Sequence, residues 1–407
     1  MKLVSTLKDF FTMPVADEVD TVTARTVGRL VSPQYPVREL DPLLIWSAAA
    51  LLIMGLVMVY SATIVDAEER YHLAGHHYLV RHALFLAIGG VAGGLAFQVR
   101  MAVWQRFAPA LFLLGVLLLL LVLIIGHKVN GAQRWISLGV VNLQPSEFMK
   151  LFVAIYAADY TVRKLRDMKS LVHGFLPMMG AILVVGGLLL AEPDFGAFVL
   201  IALIAFGVLF MGGLNIRLLV LLGVLVMIGF VLMIKFSGYR SARIDAYMDP
   251  WTHRFGDAYQ PIHSMMAFAR GEWFGVGLGG GLEKLGWLPE PHTDYLLAVI
   301  AEELGLAGVF VVIMLFAFVI QRAFVIGREA IRLERYFSGL VAQGIGLWIG
   351  AQALISMGMS MNLLPPKGFT LPLMSYGGSG LVANCLALGI LLRVDWEVRQ
   401  LKCGGGA

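Results

Sequence analysis

The chain has 407 residues, of which 59% are apolar and only 14% charged, with a net charge of +4. A soluble domain carries about 25% charged residues, so this chain cannot cover a globular surface and must use a bilayer as part of its solvent, which excludes a disordered chain and an ordinary cytosolic enzyme. Two cysteines, Cys385 and Cys403, exclude a disulfide framework.

Residues 1–42 are polar and lack the short apolar core and small-residue cleavage site of a signal peptide. They read as a cytoplasmic N-terminal tail. A membrane helix needs about 20 apolar residues to cross roughly 30 Å of hydrocarbon. Ten runs meet or approach that length: 43–63, 78–98, 107–126, 147–163, 173–191, 195–212, 217–236, 294–319, 337–358 and 377–394. Polar residues interrupt or shorten the fourth and tenth. Hydrocarbon offers exposed backbone groups no partner, so the runs are expected as helices; none shows the alternation of barrel strands. The expected fold is an all-α integral membrane protein of about ten transmembrane helices. Its membrane domain covers 43–396, and residues 397–407 form a cytoplasmic C-terminal tail.

Lysine and arginine set the orientation. Arg100, Arg106, Arg163, Lys164, Arg166, Lys169, Arg322, Arg328, Arg332, Arg335, Arg393, Arg399 and Lys402 lie on the side of the N-terminal tail. Both termini are therefore expected in the cytoplasm, and the basic residues mark orientation rather than a nucleic-acid surface. The long polar segments, 64–77, 127–146, 237–293 and 359–376, fall outside. The segment 237–293, between the seventh and eighth runs, is too long for a passive connector. It holds Trp251, Trp273, Trp287 and the glycine-rich run 275–281, which reads as a flexible loop. Chemistry is expected at this outer face.

Ionisable residues near lipid are costly and need a reason. Glu147 and Lys150, three apart at the start of the fourth run, share a helix face; a structural ion pair and a ligand role fit equally. Glu192 and Asp194 flank Pro193 at the outer rim, as a solvated turn, a cation site or one wall of a polar cleft. In residues 288–305, Pro289 and Pro291 stop any helix, Thr293 is a fitting N-cap, and Asp294 falls in the first turn that follows. A carboxylate held there between water and lipid suits a general base, and equally a plain capping acid. Glu302 and Glu303 lie about 12–13 Å further along the axis, where a structural role is expected. Lys128, Arg134, Arg240, Arg243, Arg254, Arg270, Lys284 and Lys367 are the outer cations. Arg134 stands beside Trp135, a fork of donors next to an aromatic plane. Lys367 lies in a proline- and glycine-broken stretch that must line a cavity or be covered by protein. Such cations suit an anionic lipid headgroup such as a diphosphate. Singly, each is an ordinary interfacial charge.

The motifs NGAQRWI (130–136), QPSEFMKL (144–151), EPDFG (192–196), YQPIHSMMAFARGEWFGVGLG (259–279), LPEPHTDYLLAVIAEELG (288–305) and PPKGFTLPLMSYGGSG (365–380) occur in order. Together they resemble the SEDS family of shape, elongation, division and sporulation membrane proteins, over residues 41–398. The wording around KLGWLPEPHTD is closer to the division branch. Gly380 departs from the pattern where a second serine is common, and Tyr295 where phenylalanine is common. The resemblance implies a peptidoglycan glycosyltransferase that polymerises lipid II at the outer face of the bacterial inner membrane, at the division septum. It makes Asp294 the base, and Arg134, Trp135, Lys150, Lys367, His292, Thr293 and Ser375 substrate contacts. Glu147, Glu192, Asp194, Gln260, Glu302 and Glu303 support them. A divalent cation, Mg or Mn, is compatible with the diphosphate, with no ligand set to name. The implied partners are a class B penicillin-binding protein transpeptidase and other divisome proteins. The alternatives are a lipid II flippase, an elongation-type polymerase of the same family, and a non-catalytic scaffold.

Overall fold

The computed structural model describes residues 40–69, 75–129, 132–137, 142–168, 170–221, 223–224, 245, 247–256 and 258–403. The expected N-terminal tail lies outside them apart from its last three residues, as do most of the seventh run, Arg240, Arg243, the side chain of Lys128 and residues 404–407. The described chain is a bundle of helices: α1 (Pro42–Glu69), α2 (His77–Gln98), α3 (Met101–Ile125), α4 (Pro145–Arg163), α5 (Leu176–Ala191), α6 (Phe195–Met211), α7 (Tyr259–Gly271), α8 (Leu296–Arg332), α9 (Tyr336–Ser360) and α10 (Gly378–Lys402). One π turn, Leu171–Phe175, leads into α5.

Among the described residues, six stretches are long and apolar enough to cross a membrane: Pro42–Val65, His77–Gln98, Met101–Ile125, Leu171–Ala191, Leu296–Arg332 and Tyr336–Ser360. Helix α6 is a shorter apolar helix. The fourth and tenth runs are helical as α4 and α10 despite their polar residues. Of the seventh, residues 217–221 and 223–224 are helical. The chain is a multi-pass membrane protein.

Position in the bundle follows composition. Helix α9 carries Gly339, Gly344, Gly346 and Gly350 among larger apolar residues. It is buried along most of its length against α8, α4, α6 and α10, because small residues let backbones approach where lipid gives no hydrophobic drive to associate. Helix α3 instead turns Leu113, Leu117 and Ile124 outward, as a lipid-facing helix does.

One end of the bundle is tied by ion pairs. Asp41 accepts from Arg322 and Arg399, and its backbone N–H donates to Asp395 at 2.9 Å. Lys402 meets Glu329 at 2.6 Å, and the N–H of Met101 donates to Glu397 at 2.9 Å. Three of the basic segments assigned to the cytoplasmic side by their charge, around Arg100, Arg322 and Arg393–Lys402, thus meet at one end.

The other end departs from an all-helical chain. Between α3 and α4 lies a three-stranded antiparallel sheet of β1 (His127–Val129), β2 (Ala132–Ser137) and β3 (Asn142–Leu143), in the order β1-β2-β3. His127 faces Trp135, and Ser137 faces Asn142. The rule that favours helices applies in hydrocarbon; this polar segment lies beyond it.

Helices α2 and α10 cross closely. A Cβ on Gly93 would stand 2.6 Å from the carbonyl oxygen of Cys385, and one on Gly389 would collide with the Gly93 carbonyl. Gly90, on the lipid-facing side of α2, has open space. Gly389→Val should destabilise the protein by about 1–3 kcal/mol or more through overpacking. Gly90→Val should leave the melting temperature close to wild type, and thermal unfolding in detergent checks the contrast.

Candidate functional site

Helices α4, α6, α8 and α10 all begin at the outer end. Their first N–H groups lack intrahelical partners, so each start is a weak positive pole. Two of these starts are joined by a side chain: Ser379, at the head of α10, accepts from the N–H of Gln144 at 2.9 Å and donates to Asn142 at 3.0 Å. A third is capped by Asp194, whose carboxylate accepts from Ala197 at 3.3 Å.

Asp294 is not in the first turn of α8. The helix starts at Leu296, Tyr295 holds the N-cap position without a side-chain cap, and Thr293 does not cap it. Its hydroxyl instead donates to the Glu290 carbonyl at 3.2 Å or to the Glu290 carboxylate at 3.3 Å. That local turn uses the hydroxyl and leaves Asp294 just ahead of the helix, with its carbonyl accepting from Ser360 at 3.4 Å. A Cβ on Gly368 would lie 3.1 Å from Oδ2 of Asp294, and Gly368 is itself exposed. Asp294 is half-buried by area, yet its carboxyl lies deep among protein atoms. Burial pushes it up to about 7; Glu290 adds to the rise, and the charge of Arg134 opposes it.

From Gly368 the contacts lead to the cations. The ammonium of Lys367 stands 4.0 Å from the centre of the Phe195 ring, at the start of α6. Next to Phe195, Asp194 accepts from Ser146 at 3.3 Å and has NH1 of Arg134 at 3.9 Å. Arg134, on β2, also donates to the Pro193 carbonyl. Asp294, Lys367, Arg134, Glu192 and Asp194 therefore belong to one grouping, and Trp135 is half-buried beside Arg134.

Several expected contacts go elsewhere. Lys150 is buried, paired with Glu147 at 2.7 Å, donating to Gln352 at 2.8 Å and 5.4 Å from the centre of the Trp348 ring. Gln352 in turn donates to the Thr370 carbonyl at 3.0 Å, so the pair braces the segment that carries Lys367. A side chain at position 380 would meet Glu147 at 3.1 Å; with glycine there, nothing at that position reaches the pair. Ser375 is buried, and its hydroxyl accepts from the N–H of Leu371 at 2.9 Å, closing a turn. His292 accepts at its carbonyl from Tyr376 at 2.9 Å, and its ring packs on Tyr78 and Tyr376 at 5.2 and 5.4 Å. Gln260 is half-buried in the first turn of α7.

Glu302 and Glu303 anchor a loop. Gly305 has φ 68° and ψ −169°, a conformation that essentially only glycine adopts, and it breaks α8 there. Leu306 and Ala307 donate to the carbonyls of Glu272 and Trp273 at 2.9 and 3.1 Å. The run 275–281 is pinned, not loose. Val276 and Gly277 donate to the carbonyls of Glu302 and Glu303, both at 3.0 Å, and Gly279 donates to the Glu303 carboxylate at 3.0 Å. Lys284 pairs with Glu303 at 2.5 Å and Arg270 with Glu302 at 3.6 Å, which removes both cations from the candidate set for an anion. Ser61, near the outer end of α1, donates to Glu303 at 2.8 Å. Gly305 follows both acids, so the break opens the helix just behind them and lets Leu306 and Ala307 pair with the 272–273 backbone.

Sequence reasoning missed Phe195, Ser146, Gln352 and Gly368. Gln352, a polar residue within an apolar run, carried a usable signal; the other three act through partners distant in the chain. Among the described residues, no three His, Cys, Asp or Glu side chains come together as a metal site.

Residues 42–400 match the model of the FtsW, RodA and SpoVE family, described as "Cell cycle protein". The chain is 64% identical, over the full length of both, to the "Probable peptidoglycan glycosyltransferase FtsW" of Aromatoleum aromaticum. It is 53% identical to the protein of the same description from Burkholderia thailandensis, over 90% of this chain and 81% of that one. Among solved structures, it is similar to a chain of "Structural coordination of polymerization and crosslinking by a peptidoglycan synthase complex", with a TM-score of 0.74, 27% identity, and coverage of 89% of this chain and 99% of that one. It is likewise similar to the rod shape determining protein RodA of Thermus thermophilus, with a TM-score of 0.65, 27% identity, and coverage of 88% and 97%.

Lys284→Ala leaves Glu303 buried without its cation and should cost about 3–5 kcal/mol. The paired change Lys284→Met with Glu303→Gln should recover most of that loss, as read by thermal unfolding of the purified proteins in detergent.

Proposed function

The chain belongs to the FtsW, RodA and SpoVE family of cell cycle proteins, and from that membership we propose that it is a peptidoglycan glycosyltransferase that joins the disaccharide units of lipid II into glycan strands at the outer face of the bacterial cytoplasmic membrane. The observation that carries this reading is the placement of Asp294 against Gly368, in one grouping with Lys367 and within reach of the charge of Arg134. The acceptor sugar's hydroxyl gives its proton to the Asp294 carboxylate. Its oxygen then bonds to the anomeric carbon of the donor, whose bond to the diphosphate breaks, and undecaprenyl diphosphate departs with the bonding electron pair. Negative charge grows on that leaving group, so stabilisation must be fixed in advance where it forms. Arg134, Lys367 and the starts of α4 and α10 supply it. The described residues do not form a resident metal site, and no step is routed through a metal; a divalent cation, if required, would arrive on the diphosphate.

The relatives at 53% and 64% identity carry the division-type name, which supports action at the septum. The likeness to a chain of a peptidoglycan synthase complex supports a transpeptidase partner, which we take to be a class B penicillin-binding protein. The flippase alternative needs a polar path through the bundle. There α9 packs Leu340, Val341, Ile345 and Trp348 in full burial.

Asp294→Asn should lower glycan formation from lipid II, assayed with the partner transpeptidase, by about 10²–10⁴-fold. An unchanged rate would remove Asp294 from the chemistry. Burial raises the acid above its ordinary range to about 7, and the base works ionised. The wild-type rate should therefore climb with pH, nearly tenfold per unit below that value, and level off between about 7 and about 8.

A further inference from the structure

Glu192 stands at the C-cap of α5, where its backbone N–H donates to Leu188 at 3.0 Å. Its side chain is fully buried, and neither carboxyl oxygen meets a hydrogen-bond donor among the described residues. A buried carboxylate without a donor is costly, the negative pole of α5 points at it, and Asp194 two residues on repels a second negative charge. The charged groups acting on it are Asp194, from the turn into α6, and Arg134, from β2. Arg134 is incompletely engaged: it donates to the Pro193 carbonyl, stands 3.9 Å from Asp194, and its buried Nε has no acceptor among the described residues.

We infer that Glu192 serves the diphosphate site in its neutral, protonated form, as a positioning residue that packs beside Arg134 without neutralising it, so that the guanidinium keeps its charge and an unfilled donor for a lipid diphosphate. This rests on the glycosyltransferase reading and adds a requirement to it. Two carboxyl groups of the same site must be in opposite states: Asp294 ionised to accept a proton, Glu192 protonated to leave Arg134 free. Burial lifts Glu192 to about 8, with Asp194 adding to the rise and Arg134 opposing it. Below that value the carboxyl is neutral. Above it Glu192 loses its proton to water, becomes an internal counter-ion for Arg134 and competes with the diphosphate.

The test is binding of undecaprenyl diphosphate to the purified full-length protein from about pH 6 to about pH 10, beside lipid II polymerisation with the partner transpeptidase over the same range. Wild-type affinity should fall above about pH 8, approaching tenfold per unit if only the neutral form binds. Glu192→Gln and Glu192→Met, both neutral at every pH, should lose that alkaline fall, while Arg134→Gln should weaken binding throughout. Melting temperature and gel filtration establish that each variant is folded. The inference is overturned if a folded Glu192→Gln keeps the wild-type alkaline fall, if it binds more than about tenfold more weakly than wild type at neutral pH, or if wild-type protein does not bind undecaprenyl diphosphate. Failure of the glycosyltransferase reading shows separately, as wild-type protein that makes no glycan from lipid II whatever the binding curves do.

Discussion

The approach of Gly368 to the Asp294 carboxylate is the contact around which the outer end is arranged. Neither residue lies in a helix, and an irregular backbone near lipid persists only where protein covers it. The cover is specific. Helix α1 admits the backbone of Met374 against Gly55, whose Cβ would stand 2.6 Å from it. Gln352 holds the Thr370 carbonyl from α9, Tyr376 holds the His292 carbonyl, and Ser375 closes the turn between them. Gly55 contributes a packing contact; the others are hydrogen bonds that engage loop backbone, from α9 or from within the segment that leads into α10. The acid and the lysine-bearing segment therefore meet without sharing a secondary structure.

The outer end treats its carboxylates in two opposite ways. Glu302 and Glu303 receive backbone N–H groups, and each receives a cation, Arg270 or Lys284; they hold shape. Asp294 and Glu192 are surrounded by protein with little to stabilise their ionised forms, so burial lifts both. Groups left without donors are the ones available to proton chemistry, and those given donors and cations are spent on architecture. Nothing in the residue type separates the two pairs. The partner supplied by a distant segment does.

That distinction marks how far the sequence could be read. The membrane runs were legible because a bilayer imposes a length and an apolar composition on any chain that crosses it, and Asp294 was legible from its place beside a helix start. Thr293 carried the composition of a cap, but Glu290 offered its hydroxyl a closer acceptor. Residues 275–281 looked loose because glycine permits many conformations; here the carbonyls and carboxylates at 302–303 select one. The cations and loop amides that meet those acids come from 270–284, which no count along the helix could supply. Eight outer cations faced several outer acids in the sequence, and no local rule says that Lys284 belongs to Glu303 while Arg134 belongs near Asp194. Such pairings span many residues of chain and are decided by packing.

At the opposite end, the ties between Asp41, Asp395 and Arg399 fasten the start of the first helix to the last helix. In connectivity the membrane domain is thus almost a closed ring, with its seam on the cation-rich face. A short peptide across that seam, with the chain reopened at an outer connector, would give a permuted protein whose helices keep their present neighbours.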